Sequence, residues 1–216
     1  MTIERDTALP LSVLLDKVKF KIERGALSIK DIGPIKHQGL KLHLEAKHIP
    51  LKIGKKYLRE LNIYNKNSKK YFYALGFKNE EDGYELCNEV FRGYIDTRAV
   101  SFIRGTNPDL KAVSVFKDAM DFLSVVACKR EGALQGDSIV LHTYSQATGA
   151  APYIQNYDYK VLYSWLPNTK SSEMTRQYLN ELCKAEPGLQ HTPINSAYKQ
   201  FRTVNDWWIA HPKPNL

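Results

Sequence analysis

Apolar residues follow two different periods in the first half of this chain. Between residues 38 and 61 they recur every three or four positions, which predicts helices in "QGLKLHLEAKHI" and "LKIGKKYLREL". Pro50 separates the two, because proline disfavours helical geometry in the residue before it. From residue 69 the period falls to two, so "KKYFYALGF" and "GYELCN" predict antiparallel strands joined at "KNEED". A third strand is expected in "AVSFIRG".

Beyond residue 110, short apolar strands alternate with helices. The predicted strands are "VSVF", "SIVLHTY", "YKVLYSWL" and "TPIN", and the predicted helices that follow them are "AMDFLSVVACKRE", "QATGAAPYIQ", "SEMTRQYLNELCKA" and "TVNDWWIA". This alternation is typical of a parallel sheet with helices on both faces, whose chemistry lies beyond the carboxyl ends of the strands.

The pattern therefore predicts an α/β protein in three parts. An amino-terminal extension (1–35) contains a possible helix in "LPLSVLLDKVKF" and a break at "DIGPI". A small α+β region (36–109) contains a basic helical hairpin and the antiparallel strands. The last part (110–216) holds the parallel sheet flanked by helices.

Positive charge is concentrated in the first half of the chain. The net charge is +8, and residues 36–70 hold ten basic residues against two acidic ones, so this window accounts for the whole excess. A local basic field indicates a polyanion partner, of which nucleic acid is the first candidate, and a solvated lysine face is the alternative. The candidate binding residues in the window are Lys52, Lys55, Lys56, Arg59, Lys66, Lys69 and Lys70.

Several classes of protein are disfavoured by composition. The apolar runs fall far short of the roughly 20 residues that cross a bilayer, so we expect no membrane partner. Acidic residues precede the first apolar run, where a signal peptide has a basic region. The widely spaced Cys87, Cys128 and Cys183 favour reduced thiols in a cytoplasmic protein over disulfides or a zinc site. We expect no cofactor, because glycine-rich phosphate loops are also missing from the sequence.

Four sequence blocks, in order, resemble a known family. They are "GLKLHLEAKHIPLKIGKKYLREL", "YFYALGFKNEEDGYELCNEVFRGYI", "VSVFKDAMDFLSVVA" and "DSIVLHTYSQATGAAPYI". The chain is similar, over roughly residues 36–210, to the Toprim-domain, primase-like proteins of Bacteroidetes mobile elements. The resemblance implies a Toprim-like parallel sheet and a nucleic-acid partner. We expect this partner to be DNA, with the single strand favoured because aromatic residues lie among the lysines, or RNA.

The family's metal-binding acids are replaced in this sequence. The resemblance implies a glutamate after the first strand, a D-x-D pair after the third and a further acid near a "KDxN" motif. Together they would hold the Mg²⁺ that offsets charge in phosphoryl transfer. The matching positions here are Lys117, Leu166, Asn168 and Thr203. A lysine ammonium about 4 Å from Mg²⁺ adds several kcal/mol of repulsion at intermediate dielectric. We therefore expect a degenerate Toprim domain that binds nucleic acid without metal-dependent catalysis.

Other residues near these positions have structural and functional interpretations. Lys117 could meet a phosphate directly, or it could point to solvent or pair with Asp118. Asp121 is expected to start and pack a helix rather than bind metal. Aromatic residues among the lysines could stack on bases or pack a core; they are Tyr57, Tyr64, Tyr71, Phe72 and Tyr73.

Two further functions stay open at this point. The chain could be a non-catalytic subunit that docks on a replication, mobilisation or defence protein through Trp207 and Trp208, although these rings could equally close the last helix onto the sheet. It could also be an enzyme, either a primase with non-standard ligands or one that uses His142, at the family's "LNS" asparagine, as a base. No nucleophile is readable beside His142.

Overall fold

The computed structural model describes residues 25–129, 131–155 and 157–211. The helix expected in residues 9–20 lies outside these residues. The described chain folds into two five-stranded sheets with helices packed on and between them. The strands are β1 (Leu27–Gly33), β2 (Arg59–Asn65), β3 (Lys70–Lys78), β4 (Tyr84–Cys87), β5 (Arg92–Ile95), β6 (Ser101–Ile103), β7 (Ala112–Phe116), β8 (Asp137–Val140), β9 (Val161–Trp165) and β10 (Gln190–Pro193). The α-helices are α1 (Gln38–Ala46), α2 (Leu51–Tyr57), α3 (Ala119–Ala127), α4 (Ala151–Gln155), α5 (Lys170–Ala185) and α6 (Val204–Ala210).

The first sheet is antiparallel, in the order β1-β2-β3-β4-β5. The predicted pairing of β3 with β4 is confirmed and runs from Leu75 opposite Cys87 to Lys78 opposite Tyr84. Strands β1 and β5 were not predicted. One face buries apolar side chains from four of the strands, with Leu61, Ile63, Leu86 and others forming a small core.

The predicted helix through residue 61 is wrong at its carboxyl end. Helix α2 stops at Tyr57, Leu58 is extended, and β2 begins at Arg59. In β2, the buried Leu61 and Ile63 alternate with partly exposed neighbours, which is the period of a strand. Pairing with β1 on one side and β3 on the other outweighs the local helical spacing.

The second sheet has the order β10-β9-β7-β8-β6. Strands β7 to β10 are parallel, as predicted, and β6 pairs antiparallel with β8 at the edge. The predicted strand in "AVSFIRG" is therefore present, but it belongs to this sheet rather than to the first. Among the described residues, none of the helices combines the length and apolar character that a membrane span requires.

Alternate side chains of β7 face two different cores. Phe116 packs with α3 and α6 and with apolar residues of α1, α2 and the first sheet. Val113 and Val115 face the opposite side, where α4 and α5 cover the sheet. The connections after β7 and β9 thus leave on opposite faces of two adjacent strands. Their carboxyl ends form the crevice at which doubly wound sheets bind ligands.

Candidate nucleic-acid interface

A cavity of about 390 Å³ opens in this crevice. Its floor is formed by the buried Met120, Asp121 and Asn205, and its rim includes the exposed Arg92 and Arg202. The full lining consists of Lys47, Arg92, Lys117, Asp118, Met120, Asp121, Tyr144, Pro167, Arg202, Thr203, Asn205 and Asp206. The site therefore combines a closed base with charged walls.

Lys117 follows β7 directly and shares an anionic partner with Arg92. The Lys117 Nζ and the Arg92 Nη1 each lie 3.4 Å from the Oδ2 of Asp118. Burial alone would raise the pKa of Asp118. The nearby charges of Arg92 and Lys117, with hydrogen bonds to the carboxylate, outweigh burial and lower the pKa below its usual value. Asp118 is therefore an ionised carboxylate between two cations.

Asp121 lies in the first turn of α3 and is 1% exposed. Its Oδ1 accepts a hydrogen bond from the backbone N–H of Asn205 at 3.2 Å, whereas its Oδ2 has no hydrogen-bond partner among the described residues. Burial, followed by the negative charge of Asp118, raises the pKa of Asp121 well above the usual range. Asp121 therefore keeps its proton to a higher pH than Asp118 does.

Backbone N–H groups at the start of α3 already have carboxylate partners. The N–H of Ala119 donates to Glu85 Oε2 at 3.0 Å, and the N–H of Asp121 donates to Asp118 Oδ1 at 3.1 Å. Asp118 is thus the N-cap of the helix. The free positive charge of the cavity must therefore come from side chains rather than from the helix end.

Four cationic side chains supply that charge: Lys47, Arg92, Lys117 and Arg202. Lys47 and Arg202 form no salt bridge within the described part of the chain. Lys47 and Arg92 also act on the nearby His43. Burial, and then the positive charges of these two residues, lower the pKa of His43 to about 4. The cavity is a positively charged site.

The residues at the family's acidic positions are engaged in the fold. Leu166 is fully buried in the core beneath α5. The Asn168 side-chain amide donates to the carbonyl oxygens of Asn195, Tyr198 and Phe201, at 3.0 to 3.2 Å. The Asn168 Oδ1 accepts from Asn195 Nδ2 at 2.9 Å. These contacts leave neither residue available to a metal.

Thr203 serves as a helix cap. Its hydroxyl accepts from the N–H of Asp206 at 3.0 Å, and the Asp206 carboxylate accepts from the N–H of Thr203 at 3.1 Å, which forms a capping box on α6. Within the described residues, no group of three or more His, Cys, Asp or Glu side chains could hold a metal ion. With Lys117 at the strand end, this donor set does not fit Mg²⁺, which requires several oxygen ligands.

The basic residues singled out from sequence separate into two places. Lys117 lines the cavity, whereas Lys56 donates to the carbonyl of Gly132 at 3.3 Å, beyond the far end of α3. That helix is about 13 Å long at 1.5 Å per residue. Lys52 and Lys55 are exposed on α2, and the Arg59 guanidinium donates to the carbonyl oxygens of Lys55 and Leu58. Lys66 and Lys69 lie in the β2–β3 turn, and Lys70 is the first residue of β3.

Arg92 and Arg202 were missed as cavity residues. Arg92 lies on β5, a strand that the sequence pattern did not reveal, and Arg202 lies in the loop before α6. Lys47 was counted in the basic window without being singled out. No sequence signal marks these residues, because only the folded chain brings a strand, a loop and a turn between two helices to one edge of the sheet.

The aromatic residues among the lysines divide between core and surface. Tyr57 contacts Phe122 of α3 edge-on at 5.1 Å between ring centroids, and Phe72 contacts Phe91 at 5.4 Å. Tyr71 is 63% exposed and lies 4.9 Å from the ring of Tyr64. Tyr73 is 39% exposed, and its ring stacks on that of His37 at 4.8 Å between centroids. Tyr71, next to Lys70, is therefore the more open of the two rings on β3.

The two tryptophans have different environments. Trp208 is 6% exposed, and its Nε1 donates to the carbonyl of His48 at 2.8 Å, which fixes α6 against the α1–α2 turn. Trp207 is partly exposed and stacks on His211 at 5.5 Å. Trp208 thus closes the fold, and an exposed ring surface is left at Trp207.

His142 belongs to a buried polar network that the sequence did not reveal. Its Nε2 lies 2.7 Å from Ser101 Oγ, and its Nδ1 lies 2.6 Å from Glu85 Oε2. A serine, a histidine and a carboxylate thus follow one another in the order found in a hydrolase triad. However, all three residues are buried, and Ser101 also donates to the carbonyl of Lys78 at 2.6 Å. The network joins the two sheets and offers no accessible nucleophile.

Comparisons with known proteins agree with this architecture. The structure of the primase fragment of the bacteriophage T7 primase-helicase protein matches with a TM-score of 0.52 and 10% identity, over 85% of this chain and 77% of that chain. The chain has a primase-like fold. The α/β prediction with a Toprim-like parallel sheet is thereby confirmed as a fold. The family model of a domain of unknown function (DUF8464) matches residues 29–96, which hold the antiparallel sheet. No curated protein matches the chain.

Proposed function

We propose that this protein is a primase-like, degenerate Toprim protein of a mobile element that binds nucleic acid without metal-dependent catalysis. The observation that carries the proposal is that Lys117 stands in place of the expected glutamate at the carboxyl edge of the sheet, in a cavity with three other cations. Cations in such a position favour phosphate groups directly, where a metal-dependent enzyme uses carboxylates and a bridging ion.

The partner we propose is DNA, with the single strand favoured. Exposed Tyr71 and Tyr73 on β3 lie beside the lysines of the β2–β3 turn, so this edge could stack bases while lysines meet the backbone. Lys52 and Lys55 on α2 add positive charge on a neighbouring surface. Binding of this kind depends strongly on salt, because neutralised phosphates release counterions.

Fluorescence anisotropy with short single- and double-stranded DNA and RNA tests the proposal. We expect binding at about micromolar affinity or tighter at low salt, steep weakening with added salt, and no requirement for Mg²⁺. Replacing Lys117 by glutamine should weaken binding and reduce the salt slope by about one. The matched control is Lys111→Gln, since exposed Lys111 precedes the strand that Lys117 follows and thus lies at the opposite edge of the sheet.

Two outcomes would contradict the proposal. Absence of binding to every nucleic acid at low salt would leave docking on a protein partner, with Trp207 as the first surface to examine. Equal losses from Lys117→Gln and Lys111→Gln would mean that total charge, and not the cavity, governs binding.

A further inference from the structure

The cavity has a buried base and a charged rim. Met120, Asp121 and Asn205 close its base, and each is at most 5% exposed, while Arg92 and Arg202 stand exposed at its rim. An anionic group that enters from solvent can therefore reach the cations at the rim above this base.

The charge of the cavity also distinguishes between phosphate groups. Four cations line it against the carboxyl groups of Asp118, Asp121 and Asp206, and burial raises the pKa of Asp121. The lining therefore carries one excess positive charge where Asp121 is ionised and two where it keeps its proton. A terminal phosphomonoester carries about −1.5 to −2 near neutral pH, whereas each internal phosphodiester carries a single charge.

The cations have donors to spare for such a group. Arg92 and Lys117 share one carboxylate oxygen of Asp118 at 3.4 Å each, so most of the guanidinium and ammonium N–H groups have no anionic partner in the described chain. A planar guanidinium presents two parallel N–H groups, which matches two oxygens of one phosphate. The unpartnered Oδ2 of the buried Asp121 marks a polar group at the floor beneath them.

We infer that the cavity holds the terminal phosphomonoester of a nucleic-acid strand, with Arg92 and Lys117 as its main contacts. This inference rests on the proposed nucleic-acid binding and specifies what the cavity recognises. Internal backbone phosphates are left to the exposed lysines of α2 and of the β2–β3 turn. The protein would then distinguish strands by the chemistry of their ends.

The test compares three single strands of one sequence that carry a 5′-phosphate, a 3′-phosphate or hydroxyls at both ends. The fluorophore is attached to an internal base, so that both ends stay free. We expect one phosphorylated strand to bind at least about tenfold more tightly than the unphosphorylated strand, which corresponds to about 1.4 kcal/mol. The preference should disappear in Lys117→Gln and in Arg92→Gln and persist in Lys111→Gln, with circular dichroism showing that each variant is folded.

The possible failures are distinct. Equal binding of all three strands would overturn the inference while the proposed nucleic-acid binding stands. No binding of any strand would overturn both. A preference for a phosphorylated end that survives in Lys117→Gln and Arg92→Gln would place end recognition elsewhere on the protein and overturn the assignment to this cavity.

Discussion

Replacing Asp121 by asparagine tests the electrostatics of the cavity floor. The unfolded chain releases the Asp121 proton near the ordinary pKa of about 4. The folded chain keeps it, because burial and the charge of Asp118 raise the pKa of Asp121. Wild-type stability should therefore fall as pH rises from about 4 to the raised pKa, by up to about 1.4 kcal/mol per pH unit from this group, and level off beyond it.

Asparagine keeps the shape of the side chain and an oxygen for the N–H of Asn205, but it cannot ionise. We expect Asp121→Asn to be more stable than the wild type, by an amount that grows with pH over this interval. Urea unfolding at a series of pH values between 4 and 8, followed by tryptophan fluorescence, measures the difference.

Asp118→Asn is the control with the opposite sign. The lowered pKa of Asp118 means that its carboxylate stabilises the folded chain above the ordinary pKa and that this contribution is lost as pH falls. Its replacement should therefore cost a nearly constant amount of stability between pH 4 and 8, and the cost should shrink only below about pH 4. If the difference between Asp121→Asn and wild type does not change with pH, Asp121 titrates normally and the cavity charge assigned above is wrong.

Three further predictions concern the fold and the missing metal ligands. Asn168→Asp should cost about 3 kcal/mol or more in urea unfolding at pH 7, because a carboxylate would face three carbonyl oxygens; unchanged stability would refute that reading. Trp208→Phe should cost about 1 kcal/mol or more through the lost bond to the His48 carbonyl, and Trp207→Phe less, by the same assay. Lys117→Glu should show no Mg²⁺-dependent rise in melting temperature, since Leu166, Asn168 and Thr203 supply no further ligands; a rise saturating at millimolar Mg²⁺ would mean that the site can still hold the ion.

Local patterns predicted much of the fold. The strands β3, β4 and β7 and the helix α3 follow directly from their periods of two and of 3.6 residues. The end of α2 was misassigned because "RELNIYN" also offers helical spacing, and its strand partners are distant in sequence. Strands β1 and β5 escaped notice for the same reason, since edge strands have mixed exposure and weak alternation.

The count of charged residues predicted a positively charged surface, but it did not predict which residues line the cavity. Residues 36–70 hold the excess charge, yet only Lys47 of that window lines the cavity. Arg92 lines the cavity because β5 is part of the first sheet, and Arg202 lines it from the loop between a 3-10 helix and α6. Neither arginine has a sequence signature. Convergence of this kind depends on tertiary structure, which a single sequence does not display.

The replaced positions have separate structural roles. Leu166 fills a core, Asn168 ties three backbone carbonyls, and Thr203 caps α6, so an acid at Leu166 or Asn168 would remove a stabilising contact, whereas an aspartate at Thr203 could still cap the helix. Lys117 and Thr203 line the cavity, and there Lys117 shares Asp118 with Arg92. Restoring a single acid therefore cannot restore a metal centre, because the neighbouring positions are committed to packing. Four cations line the same crevice, and their charge opposes the binding of a divalent metal ion there.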